Sequence, residues 1–175
     1  GMILQDPSSA LNPVFTIQDQ FLTSLKYAFQ SKNPNREELR KRAVDALEAV
    51  SLADPQRILN SYPFQLSGGM RQRVCIAMTL AADRHLLLAD EPGTALDVTI
   101  QDQILRLIKK LVEDRKLSVI MVSHSLGVIR QITTSVNIMY AGSIVERGGT
   151  QEVFEDPQHP YTRALMECLP KLPGE

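Results

Sequence analysis

The stretch Leu86-Leu87-Leu88-Ala89-Asp90-Glu91-Pro92 decides how this chain folds. An unbroken apolar run of this kind, with no polar alternation, is what a parallel strand covered on both faces requires. The two adjacent acids that follow project in different directions, so one can face a metal while the other faces water. Beyond them Ile100, Ile104, Leu107, Ile108 and Leu111 recur at helical spacing, and Val119 to Val122 form a second buried strand ending at Ser123-His124. Strand, helix, strand is the βαβ rhythm, which predicts an α/β domain with a parallel sheet.

Upstream, Met2-Ile3-Leu4 is a short apolar run stopped by Gln5-Asp6-Pro7, the end of a strand entering a loop. Ser8 to Asn12 are turn formers, and after Pro13 the residues Ile17, Phe21, Leu22 and Leu25 mark a first helix. Asn33-Pro34-Asn35 breaks it. Leu39, Ala43, Leu47 and Val50 then line one face of a second helix whose other face carries Arg40, Lys41, Asp45 and Glu48. Tyr62-Pro63 leads into Ser67-Gly68-Gly69, and Arg71 to Ala82 reads as a helix with Val74, Ala77, Met78 and Ala81 on its buried side. Val136, Ile138 and Tyr140 alternate before Ala141-Gly142 and Ile144-Val145, which predicts a β-hairpin. The tail from Asp156 is proline-rich, with one short helix after Pro160.

Composition narrows the function classes. The 175 residues have the length of one domain, and 43% hydrophobic residues supply a core. With 19 Lys and Arg against 20 Asp and Glu, no electrostatic footprint calls for nucleic acid or an anionic membrane. Cys75 and Cys168 form no metal-like spacing, and a structural disulfide is not expected. No apolar run approaches the roughly 20 residues that span a bilayer, and no basic flank precedes an apolar leader, so the chain reads as cytosolic.

Four short patterns carry chemistry. Ser67-Gly68-Gly69 at a helix start offers unpaired amides, a hydroxyl and the positive end of a helix dipole to an anion, although a lone Ser-Gly-Gly is better read as a plain capped helix with a flexible entry. Asp90-Glu91 after an apolar strand suits phosphoryl transfer, which needs a held Mg²⁺ and a group to orient or deprotonate the attacking water. The alternative is a helix N-cap region with Pro92 in the first turn. His124 alone is more often packed or solvated than catalytic, and Gln5 alone is an ordinary loop residue. Yet Gln5, Asp90, Glu91 and His124 are all expected at the carboxyl ends of parallel strands, where open α/β sheets place ligands.

Taken in order, Gln65-Leu66-Ser67-Gly68-Gly69-Met70-Arg71-Gln72-Arg73, then Leu86 to Pro92, then Thr94-Ala95-Leu96-Asp97, then Ser123-His124, the sequence resembles the second half of an ATP-binding-cassette (ABC) ATPase. The resemblance runs from Gln5 to about Pro170. It implies a partial P-loop NTPase core with a parallel sheet plus an α-helical signature subdomain, and ATP with Mg²⁺ as the cofactors of the complete domain. By resemblance Asp90 holds Mg²⁺ through water, Glu91 is the general base, His124 senses the γ-phosphate, and Gln5 approaches the metal and attacking water. Ser67, Gly68 and Gly69 contact the ATP of the opposite subunit, and Asp97 contacts that subunit across the interface. Met70, where many ABC proteins have glutamine, resembles the oligopeptide, dipeptide and nickel importer branch, as does Gln158-His159-Pro160-Tyr161-Thr162-Arg163-Ala164-Leu165. Departures from the family pattern are Gly93 for threonine, Ser125 for aspartate, and Asp83-Arg84-His85 for a proline-containing lead.

The expected organisation is residues 1–7 as the Q-loop strand end, 8–82 as a helical subdomain, 83–150 as a partial RecA-like core and 151–175 as an importer-type extension. No Gly-x-x-x-x-Gly-Lys-Ser/Thr occurs among the 175 residues, so the loop whose amides and lysine cradle nucleotide phosphates is not in this sequence. The expectation is a fragment lacking the Walker A half, inactive alone and prone to self-association through exposed strand edges. Its setting is the energy-coupling ATPase of a peptide or nickel importer. The expected partners are a second ATPase subunit and membrane permease subunits, peripheral on the cytoplasmic face, with no nucleic acid. The alternatives are a catalytically silent regulatory protein derived from an ABC ATPase, and a soluble ABC ATPase working on nucleic acid or ribosomes.

Overall fold

A computed structural model describes residues 1–29, 34–82, 84–93 and 96–168. The expected breaker at Asn33, the lead at Asp83, the residues Thr94 and Ala95, and the end of the resemblance at Pro170 lie outside the described residues. The chain forms two compact units, Gly1–Val122 and Ser123–Glu175.

The first unit is an α/β layer. Strands β1 (Met2–Ile3), β2 (Leu86–Asp90) and β3 (Ser118–Val122) form a parallel sheet in the order β1-β2-β3, with Met2 opposite Leu88 and Leu88 opposite Ile120. Helix α6 (Val98–Arg115) makes the crossover from β2 to β3. Between β1 and β2 lie α1 (Pro7–Ala10), α2 (Ile17–Ala28), α3 (Arg36–Ala49), α4 (Pro55–Asn60), a 3₁₀ turn (Pro63–Gln65) and α5 (Gly68–Leu80). Local chemistry sets their starts. Thr16 caps α2, Asn35 and Glu38 form a reciprocal capping box on α3, and Asp54 with Pro55 opens α4. Phe21, Leu25, Leu47, Ile58, Val74, Ile76 and Ile104 are buried in one continuous core with Ile3 and Leu87.

Two expectations are corrected here. Neither β2 nor β3 is covered on both faces. Ile3, Leu87 and Ala89 are buried, while Met2, Leu86, Leu88, Ile120 and Val122 on the opposite face are 39 to 57% exposed. The apolar run reports a strand suited to two covers, and within this unit the helices pack on one face. Helix α5 starts at Gly68, three residues before the expected Arg71, because Ser67 supplies the cap. Its buried side also takes in Gln72, Ile76 and Leu80, whereas Met78 is only half-buried. The short helices α1 and α4 were not legible as periodic segments. A helix of one or two turns shows too few positions for a 3.6-residue repeat to emerge.

Cross-links seat α5. Arg73 donates to the Val50 carbonyl at 2.8 Å and to Gln103 Oε1 on α6 at 3.1 Å, and Arg115 closes the far end by donating to the Leu80 carbonyl at 2.8 Å. At the near end a Cβ built on Gly69 would lie 2.8 Å from Ile100 Cγ2, and one on Gly68 3.3 Å from Leu96 Cδ2.

The second unit contains α7 (Leu126–Ile132), the antiparallel hairpin β4 (Ser135–Tyr140) and β5 (Ser143–Gly149), α8 (Thr150–Glu155) and α9 (Pro160–Glu167). The hairpin and α9 match expectation, while α7 and α8 were not anticipated. Ala141 and Gly142 turn the hairpin with φ of 46° and 81°, the left-handed pair that a two-residue loop needs. Glu146 on β5 fastens α9. Its Oε1 accepts from the Gln158 amide at 2.7 Å and its Oε2 from the His159 amide at 3.0 Å, and Tyr140 packs on Tyr161 with ring centroids 4.6 Å apart. The nearby buried Thr162 hydroxyl, then the Gln158 amide and then His159 outweigh desolvation and hold the Glu146 carboxyl below the usual glutamate range.

Two predictions follow from this packing. A carboxyl lowered by folding stabilises the docked α9 above the ordinary glutamate value of about 4.3, and that contribution fades as pH falls through the lower folded value. Protection of the Gln158 and His159 amides should therefore hold from neutral pH down to about pH 5 and drop below about pH 4. Glu146→Gln should lose that protection already at neutral pH, and an unaltered acid profile in this variant would refute the assignment. Separately, Gly69→Ala should lose about 1–2 kcal/mol, because crowding against the stiff, branched Ile100 exceeds the helix-propensity gain. In an Ile100→Ala background the same change should cost little, and equal costs in both backgrounds, read from denaturant midpoints, would exclude the crowding.

Candidate active site

Parallel pairing brings β1 and β2 out at the same edge of the sheet, and the residues that leave that edge meet. Gln5, two residues past β1, donates from Nε2 to Glu91 Oε2 at 2.9 Å. Glu91 immediately follows β2, and its amide donates to the Val122 carbonyl at the end of β3, also at 2.9 Å. Asp90, the last residue of β2, is half-buried beside it. Three of the expected site residues thus stand together, built from two strand ends 86 positions apart in sequence.

Glu91 has φ of 44°, in the left-handed region that a residue with a Cβ seldom adopts. Pro92 adds a second restriction, since the residue before proline is pushed toward extended conformations. Holding such a conformation costs on the order of 1–3 kcal/mol, so the surroundings must over-determine it. They do so on both sides. The Glu91 amide is bound by Val122, its carboxylate by Gln5, and the Pro92 carbonyl accepts from the buried Gln72 Nε2 at 2.8 Å. Gly93 comes next and lies flush on α6, where a built Cβ would be 2.7 Å from Gln101 Cγ and 3.5 Å from its Cα. The glycine that departs from the family pattern is therefore packed as a glycine. The turn Glu91 to Gly93 is irregular, so the alternative of an N-cap region with Pro92 in the first helical turn is not what forms; α6 begins at Val98.

Ser67 caps α5, accepting from the Met70 amide at 3.3 Å, and its hydroxyl proton remains available to an anion. The Gly68 and Gly69 amides fall in the first turn, where no intrahelical acceptor exists. Asp97 caps α6 by accepting from the Ile100 amide at 3.0 Å. The two helix starts press against each other through Gly68 with Leu96 and Gly69 with Ile100. His124 belongs to the second unit, exposed between Val122 and α7.

The donor set suits a phosphate-bound magnesium ion. Among the described residues no three His, Cys, Asp or Glu side chains gather into a metal cage. Mg²⁺ keeps several waters and takes only one or two protein carboxylates beside substrate phosphate, which Asp90 can supply. With its nitrogen committed to Glu91, Gln5 has its amide oxygen left for a cation. Gln72 was missed as a site residue from sequence. The available signal was a polar residue in the apolar stripe Gln72, Ile76, Leu80 at four-residue spacing.

Comparison with known proteins places the chain in a family. Residues 1–94 match the family model described as ABC transporter, and residues 145–175 match that of the oligopeptide/dipeptide transporter C-terminal region. The chain is 48% identical over 172 residues to the glutathione import ATP-binding protein GsiA of Escherichia coli (strain K12), covering 98% of this chain and 27% of GsiA. It is equally 48% identical over 172 residues to the oligopeptide transport ATP-binding protein OppD of Bacillus subtilis (strain 168), covering 98% and 47%. The chain therefore spans less than half the length of these relatives. Among solved structures, the ATP-binding cassette MJ0796 in a dimeric post-hydrolysis state bound to ADP and Pi superposes with a TM-score of 0.70 at 31% identity, covering 86% of this chain and 62% of that one. The cbiO1 protein of Clostridium perfringens, part of the cbiONQ ABC transporter complex, shares the fold with a TM-score of 0.73 at 24% identity over 89% and 59%. Among the described residues no helix is long and apolar enough to cross a membrane. With the family model matching more than half of the residues and two curated relatives 48% identical over nearly the whole chain, this chain belongs to the ABC transporter ATPases.

Proposed function

We propose that these residues form the catalytic-carboxylate and signature part of an ATPase subunit that powers peptide import. The observation that carries the reading is the Gln5–Glu91 hydrogen bond at the strand ends, with Glu91 held in a strained turn beside Asp90. Bound Mg-ATP supplies an electrophilic phosphorus and a cation that neutralises the phosphate oxygens. Asp90 and the Gln5 amide oxygen would hold the metal, largely through water. Glu91 would accept the proton of the attacking water, and Gln5 would keep that carboxylate aimed. Ser67, Gly68 and Gly69 would offer the helix α5 N-terminus to the phosphates of a nucleotide shared with a second subunit, Asp97 would contact that subunit, and His124 would respond to the γ-phosphate. Peptide cargo is favoured by the names of the relatives, an oligopeptide and a glutathione transporter subunit, and by the match of residues 145–175. The partners of this reading are a second ATPase subunit and membrane permease subunits, reached from the cytoplasmic face.

In the complete protein Glu91→Gln should keep Mg-ATP binding within a few-fold and lower turnover by at least 100-fold, as expected for loss of a general base. Steady-state ATPase assays beside nucleotide-binding titrations measure both, and a variant with near-normal turnover would remove Glu91 from this role. For the 175 residues alone, whose sequence holds no phosphate loop, we expect Mg-ATP affinity weaker than about 0.1 mM, since amide nests and the P-loop lysine make most phosphate contacts. Micromolar binding by calorimetry would contradict this.

A further inference from the structure

Among the described residues of the first unit, Gln72 is the single fully buried polar side chain, 1% exposed. Its Nε2 donates to the Pro92 carbonyl, and since only an N–H can serve a carbonyl, this contact fixes which way the amide lies. Its Oε1 finds no partner among the described residues. A buried polar group of this kind is costly unless it does a specific job.

The position explains the job. Gln72 lies four residues after Gly68, on the same face of α5 as the glycine that rests on Leu96. Gly69 meanwhile leaves no space between α5 and Ile100. The first two turns of α5 are thus seated on Leu96 and Ile100 by close contact at the front and on Pro92 by a buried hydrogen bond behind. The proline ring locks φ at Pro92, so its carbonyl carbon and the Glu91–Pro92 peptide plane move as one body. Whatever holds that carbonyl therefore holds the left-handed turn at Glu91.

We propose that Gln72 is a positioning residue: by gripping the Pro92 carbonyl it keeps the Glu91 backbone in its strained turn and ties the aim of the carboxylate to the seating of the signature helix. This rests on the reading of Glu91 as the general base. Displacement of α5 pulls on Pro92 and, through it, on Glu91. Where Ser67-Gly68-Gly69 of one subunit face the nucleotide of the other, the linkage makes the carboxylate at one site respond to phosphate contacts at its neighbour.

The test uses the complete protein with its partner subunits. Gln72→Met keeps length and volume but has no donor, and Gln72→Glu keeps the shape and donates only when protonated. In Gln72→Met, kcat for ATP should fall about tenfold or more with KM within about twofold, the pattern of a lost transition-state alignment. The Glu91 amide, bonded to Val122, should exchange with solvent about tenfold faster, while the amides of Ile104 to Leu111 in α6 keep their protection. Gln72→Glu should recover part of kcat toward acid pH, where its carboxyl can donate. The proposal is overturned if exchange at Glu91 is unchanged in both variants, or if kcat falls while KM rises and α6 loses its protection, as in a general core lesion. Glu91→Gln, assayed in parallel, separates the two readings. Normal turnover there removes the catalytic role of Glu91 while the exchange data still judge Gln72, and lost turnover there with normal kcat in Gln72→Met sinks the Gln72 proposal alone.

Discussion

Parallel pairing of β2 on both of its edges is the constraint on which everything else in the first unit depends. Parallel strands leave a sheet at the same end, so the backbone hydrogen bonds that place β1 and β3 beside β2 also deliver Gln5 to Glu91 and the Val122 carbonyl to the Glu91 amide. No local preference of the chain between residues 5 and 91 would bring these groups together. The sheet also decides which face of the unit is core. Ile3, Leu87 and Ala89 alternate inward, and the helices between β1 and β2 close over them.

The strained turn at Glu91 shows how that scaffold converts packing into chemistry. A left-handed residue before proline is unfavourable by itself, and it persists because neighbours in three different elements hold it: Gln5 beyond β1, Val122 at the end of β3, and Gln72 on α5 through Pro92. Each contact is an ordinary hydrogen bond worth about 1 kcal/mol net. Together they are comparable to the cost of the turn, on the order of 1–3 kcal/mol, and fix one direction for the Glu91 carboxylate. For the general-base role proposed for Glu91, such preorganisation would avoid rearranging the site during the reaction.

The second unit uses charge in a simpler way. Glu146 projects from the hairpin into the start of α9 and accepts two amides that would otherwise be unpaired at a helix N-terminus. Helix α9 is thereby docked on the hairpin by a group that accepts best when ionised. At the start of α5 the cap is instead the neutral hydroxyl of Ser67, which accepts from the Met70 amide.

Several features were legible in the chain because they depend on neighbours in sequence. The apolar run before Asp90 and Glu91 specified a parallel strand with acids at its tip, the spacing from Ile100 to Leu111 specified α6, and Ala141-Gly142 between alternating residues specified the hairpin. Ser67 with its two glycines marked a helix start. Other features were decided only by the folded structure. A run of leucines cannot say which face receives helices, and half of β2 is exposed. Helices as short as α1, α4, α7 and α8 hold too few residues to show a period. The burial of Gln72, the Gln5–Glu91 bond and the left-handed backbone at Glu91 arise from contacts between residues 20 to 86 positions apart. Sequence alone therefore determined what kinds of element and chemical group are present, because periodicity and turn chemistry are local. Tertiary structure decided which of those groups touch, because burial and strain are set by distant neighbours.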